Sequence, residues 1–127
     1  MEQKKVIFLK NNSEVVSLNC DVAKSYFEKT KGLMYRESIE KNKGMLFPFI
    51  FPFQRFFWMK NVKIPLDIIF VNRNFEIIYI HEAQVEKGLL YKTYWSHGLC
   101  KYVIETNMGF CKKNKVKKRD KIKIENL

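Results

Sequence analysis

The chain of 127 residues is 46% hydrophobic and 15% aromatic, with eleven Phe, which supports one packed core and excludes disorder of the low-hydrophobicity kind. Its net charge of +11 comes from a lysine-heavy composition, so charge alone selects no partner. The longest apolar stretch, Met45 to Met59, is broken by Pro48, Pro52, Gln54 and Arg55 and falls short of the ~20 residues a bilayer-crossing helix needs.

From the amino terminus, Met-Glu-Gln-Lys-Lys and the short run Val6 to Leu9 lack the apolar region and cleavage site of a secretory leader, so a soluble, cytoplasmic protein is expected. Val6 to Leu9 and Glu14 to Leu18 flank the turn signal Asn11-Asn12-Ser13 and predict two short strands, tightly joined. Asp21 is placed to cap a helix in which Val22, Ala23, Tyr26, Phe27 and Thr30 recur at helical spacing, with Gly32 at the C-cap. Glu37 to Lys43 reads as a polar loop entering a buried stretch at Met45-Leu46-Phe47. Pro48 and Pro52 then shape an exposed loop, and Arg55 to Lys60 reads as a strand.

Leu66 to Val71 and Phe75 to His81, joined by Asn72-Arg73-Asn74, predict a β-hairpin. A longer loop runs through Gly88, Trp95 and Gly98 before Lys101 to Glu105 alternates as a strand. Asn107 is placed to cap a short helix through Lys113, and Lys121 to Glu125 reads as the last strand. No repeat or linker divides the sequence, which predicts a single domain over 1–127. The element order predicts an α+β, mainly β architecture: a compact curled antiparallel sheet or small barrel with one principal helix packed on it.

Four motifs occur in order: Gly32-Leu33-Met34-Tyr35-Arg36, Gly44-Met45-Leu46-Phe47, Phe57-Trp58-Met59-Lys60-Asn61 and Pro65-Leu66-Asp67. In their order and intervals they resemble the bacterial and archaeal family called domain of unknown function 192, over nearly the whole chain. The resemblance implies a compact β-rich domain and supplies no substrate or reaction. The chain departs from the family's pattern at Ser96-His97-Gly98-Leu99-Cys100, where relatives carry a Pro- and Ser-rich turn, and at Arg119-Asp120, where they carry Gly-Asp.

Asp67 sits in an apolar run, with Leu66, Ile68 and Phe70 on one strand face and Asp67, Ile69 and Val71 on the other. A buried carboxylate needs a partner, and Arg36 and Lys60 are the candidates. This predicts a small-ligand site rimmed by Arg36, Lys60, Asn61 and Asp67 and walled by Trp58 and the methionines, against the simpler reading of a structural ion pair.

Met34, Met45 and Met59 carry thioethers suited to Cu(I), with His81 or a cysteine completing the sphere, but each adjoins Leu, Phe or Trp as a core residue does; no metal and no cofactor are expected. Cys20, Cys100 and Cys111 lack CxxC spacing and read as reduced thiols. The pair His97 and Cys100, or a triad assembled from Ser96, Asp67 and His81, lacks any catalytic scaffold motif, so the sequence offers no positive case for an enzyme.

Eight of the twelve residues from Lys112 to Lys123 are basic, and Lys112, Lys113, Lys117, Lys118 and Arg119 suit salt-dependent nucleic-acid association, though no aromatics in the segment serve base stacking. The loop bearing Phe49, Phe51 and Phe53 beside Arg55 suits a membrane surface, a docking protein or a core strand. The leading expectation is noncatalytic binding of a small ligand or protein partner around Arg36, Lys60 and Asp67. Nucleic-acid association is the alternative and an undetected enzyme the third.

Overall fold

The computed structural model describes residues 1–127. Strands β1 (Gln3–Lys10) and β2 (Ser13–Val22) form a hairpin whose turn residues Asn11 and Asn12 both have positive φ, at 51° and 64°, matching the primed turn that two twisted strands prefer. Helix α1 (Tyr26–Lys31) and the turns after it lead to β3 (Lys43–Phe53), which runs parallel to β2. Then come β4 (Phe56–Trp58), β5 (Leu66–Val71), β6 (Ile77–Ala83), β7 (Thr93–Trp95), β8 (Cys100–Asn107), α2 (Phe110–Asn114) and β9 (Lys121–Asn126).

Seven strands make one mixed sheet in the order β6-β5-β8-β3-β2-β1-β9, while β4 and β7 pair separately. The expectation of a mainly β, α+β fold holds, but the sheet is not wholly antiparallel, because the segment through α1 returns the chain alongside β2 in the same direction. Nor is it a closed barrel. Its two edge strands meet only at the Glu76–Lys121 bridge, reinforced where Ile77 N–H donates to Asp120 and Ile122 N–H donates to Phe75.

The curl divides the core in two. The concave side buries Val6, Phe8, Leu18, Leu46, Ile69, Ile104 and Ile122 and is plugged by Phe110 and Cys111 of α2. The outer side buries Leu33, Met45, Phe47, Met59, Leu66, Ile68, Phe70 and Val103. Every residue of β5 is buried, so the two faces read from its alternation feed these two cores.

The expected principal helix is the clearest correction. Val22 ends β2 and Ala23 is core, and helix α1 begins only after Ser25. There Ser25 Oγ accepts the Glu28 amide while Glu28 accepts the Ser25 amide, a reciprocal capping box; Asp21 lies within β2, where its carboxylate accepts from Gln3 and Arg36, and does not cap the helix. The helix has six residues, none buried, with Tyr26 87% and Phe27 73% exposed. Gly32 ends it with φ 48°, as expected of a C-cap. The second helix is likewise not capped by Asn107: Gly109 holds the N-cap position and its side-chain acceptor comes from Asp67.

Candidate site: an apolar cleft floored by Glu105

Asp67 is 1% exposed, and its partner is neither Arg36 nor Lys60. Asp67 Oδ2 accepts the Cys111 amide at 2.9 Å and Oδ1 the Gly109 amide at 3.3 Å, so the carboxylate closes the first turn of α2. Burial raises its pKa; the two amides oppose that rise, and Glu82 adds to it.

Arg36 instead meets Asp21 at 3.3 Å on the surface. The Lys60 ammonium stands 5.4 Å from the Trp58 ring. Asn61 donates to the Tyr35 hydroxyl at 2.9 Å, and its carbonyl accepts the Tyr35 amide, which ties the turn after α1 to the turn after β4. Of the five residues assigned to a ligand site, Trp58 alone lines the apolar cleft on the outer face.

That cleft, of about 800 Å3, opens on the outer face between α1, the end of β3 and β4. Its walls are chiefly Leu33, Met34, Phe47, Phe49, Phe57 and Val62, and Glu105 lies at its floor. Phe47 and Phe57 meet edge to face at 5.0 Å, which makes the inner wall rigid. Arg55 and Lys29 flank Phe49, the guanidinium 3.6 Å and the ammonium 5.1 Å from its ring centroid. Burial lowers the pKa of both cations, and for Lys29 the charge of Arg55 adds to the effect.

Glu105 is the feature that sequence reasoning missed. It lies on β8 with β3 on one side and β5 on the other, opposite Met45 and Ile68, and is 4% exposed. Its carboxyl has no hydrogen-bond or ionic partner in the chain; burial alone acts on it and pushes its pKa up to about 8. Every fully enclosed side-chain oxygen and nitrogen of the protein has a partner. The Glu105 oxygens, having none, therefore keep their contact with the cleft. Burial thus favours its protonated form, which can donate one hydrogen bond and accept others.

The signal for it was the alternation Lys101, Val103, Glu105 in β8, which puts the acid on the same face as a fully buried valine.

The other assigned residues are separate from this cleft. Met45 and Met59 are outer-face core, and Met34 lines the cleft. All three cysteines are buried thiols; burial lifts Cys100 to about 11 and Cys20 to about 12, far from thiolate chemistry. Cys100 Sγ donates to the Tyr102 carbonyl, while exposed His97 stacks on Tyr79, so neither serves the other as base or nucleophile. Ser96 Oγ accepts the Arg55 amide and donates to the Gly98 carbonyl, a turn-forming role. Lys112 pairs with Glu82 at 3.1 Å, Lys118 lies 4.9 Å from the Tyr79 ring, and Lys113, Lys117 and Arg119 are exposed. No helix is long and apolar enough to cross a membrane.

Fold and cleft together define a small mixed-sheet domain with an open apolar pocket on its outer face and one uncompensated acid at the pocket floor. The chain belongs to the family described as Uncharacterized ACR, domain of unknown function 192, which matches residues 6–124.

Two solved structures are similar. A Sinorhizobium meliloti protein, described provisionally as a transcription regulator, is 28% identical, with a TM-score of 0.87 over 95% of this chain and 92% of its own. A protein of unknown function from Novosphingobium aromaticivorans is 28% identical, with a TM-score of 0.82 over 94% of this chain and 83% of its own. No match was found among curated proteins.

Proposed function

We propose that this domain is a noncatalytic binding module whose outer cleft takes a small, largely apolar molecule carrying one hydrogen-bonding group for Glu105. The observation that carries this reading is the unpartnered carboxyl of Glu105 at the floor of an open apolar cleft. The Glu105 oxygens have no partner in the chain and are open to the cleft, so a ligand's hydrogen-bonding group can meet them there in place of water. Neutral Glu105 suits an amide, alcohol or carboxylic acid, and cationic Lys29 and Arg55 at the mouth oppose an amine.

The test is NMR titration of the labelled protein with medium-chain carboxylic acids and neutral aromatic amides. Saturable shifts confined to Leu33, Met34, Val62 and Glu105, and abolished in Glu105→Leu, are expected. Saturable shifts elsewhere, or none from either class, would refute the reading.

A second reading is nucleic-acid association. It draws on the regulator description of the Sinorhizobium protein and on the exposure of Lys113, Lys117, Lys118 and Arg119. It requires binding that falls steeply with salt and is lost when Lys112, Lys113, Lys117, Lys118 and Arg119 are neutralised.

A further inference from the structure

The rim of the cleft carries a second kind of information. Along β3, Pro48 faces Tyr102 of β8 but Phe53 faces Cys100, so five steps on one strand match two on the other and the residues between are pushed out of the sheet. Pro48 and Pro52 have no amide to give a ladder, which accounts for the bulge. At its tip Ile50 is 84% and Phe51 64% exposed.

The tip is braced. Arg55 Nη2 donates to the Phe51 carbonyl at 2.6 Å while its guanidinium covers Phe49, so the apolar side chains are held outward. Across the mouth stands exposed Tyr26 of α1. Lys29, Lys31 and Arg55 are the charged residues of this rim, and the one acid lining the cleft, Glu105, is at its floor. Glu28 on the same helix is engaged by the Lys24 and Ser25 amides.

We propose that this rim docks on the surface of an anionic lipid bilayer, with Ile50 and Phe51 inserting at the headgroup level and Lys29, Lys31 and Arg55 facing lipid phosphates. Aromatic and aliphatic side chains ringed by cations are the composition of an interfacial anchor, in which buried apolar area and attraction to anionic lipid act together. Pro48 and Pro52 take two amide donors out of the bulge, which weakens its pairing with a strand of a partner protein. The docking goes beyond the binding reading and does not depend on what the cleft holds.

The test is co-sedimentation of the full chain with vesicles of phosphatidylcholine alone or mixed equally with phosphatidylglycerol, with Trp58 and Trp95 emission as a second readout. Retention by the mixed vesicles with a blue shift is expected, weakening at least tenfold on pure phosphatidylcholine or in 0.5 M salt. The pair Ile50→Ser, Phe51→Ser should lose binding at least tenfold with an unchanged circular dichroism spectrum, since both side chains are exposed.

The proposal is overturned by equal binding to both vesicle types, by no binding, or by retention of binding in the serine pair. It is equally overturned if ultracentrifugation shows a self-association that the serine pair abolishes, since a second copy then covers the rim. Ligand titration without vesicles is read separately, so a failed docking leaves the cleft reading standing and the reverse.

Discussion

Asp67 and Cys111, forty-four residues apart, are joined by a carboxylate–amide hydrogen bond of 2.9 Å that holds α2 over the concave core. Asp67→Ala would leave the Cys111 and Gly109 amides without this acceptor and open a void where a buried side chain stood. The expected loss is about 3 kcal/mol in urea denaturation. Asp67→Asn keeps one acceptor and should lose less. Arg36→Ala, which removes an exposed pair with Asp21, should cost under about 1 kcal/mol. Comparable losses from Asp67→Ala and Arg36→Ala would contradict this assignment.

Glu105 predicts a specific pH dependence. Its folded pKa of about 8 lies above the ordinary 4.5, so between these values the folded chain keeps a proton that the unfolded chain has released. Its contribution is therefore most favourable below pH 4.5, declines as pH rises to 8, and is level beyond. The slope is about 1.4 kcal/mol per pH unit within that window. Glu105→Gln removes the titration, so the difference in stability between the two proteins should grow in favour of the variant from pH 5 to pH 8. Parallel stability curves from urea midpoints across that range would contradict the burial of an unpaired acid.

These two carboxyls show what the sequence made legible and what it did not. The alternation in β5 placed Asp67 on a buried face, and the hairpin through Asn72 was readable because Asn72 Oδ1 accepts the Asn74 and Glu76 amides, a local device. Asp67's actual partners were not readable, since they are backbone amides, which no residue type advertises. The location of α1 was missed because Val22 and Ala23 satisfy a helical period and a strand end equally well. Glu105 escaped because its burial depends on β8 being the strand between β5 and β3, a fact of sheet order. Trp58 lines the cleft, whereas Lys60 and Asn61 of the same motif and Arg36 of the first motif do not: Lys60 stands by the Trp58 ring, Asn61 bonds Tyr35 and Arg36 pairs with Asp21.

Gly44 tests the same strand crossing from the opposite side. A Cβ there would stand 2.5 Å from the Glu105 carbonyl oxygen and 3.4 Å from Thr106 Cβ, so β3 and β8 would have to separate. Gly44→Ala is expected to cost about 3 kcal/mol and to lower the thermal midpoint accordingly. Gly98→Ala meets only the tip of Ile78 at 3.4 Å and should stay within about 1 kcal/mol of the parent. Equal effects of the two substitutions would mean that β3 and β8 are not held at this spacing.

Helix α1 forms one wall of the cleft. Because α1 buries none of its residues, little tertiary packing supports it, and the capping box of Ser25 and Glu28 supplies most of what holds its first turn. Ser25→Ala should cost about 1 kcal/mol. The effect should appear locally: faster amide hydrogen exchange at Lys29 and Gly32, whose N–H groups donate to Ser25 and Glu28, with the β5 and β8 amides unchanged. If the cleft takes the small molecule proposed above, its affinity should fall with it, since Lys29, Thr30 and Lys31 line the cleft. If exchange at Lys29 and Gly32 matches the parent, something other than the cap holds α1 in place.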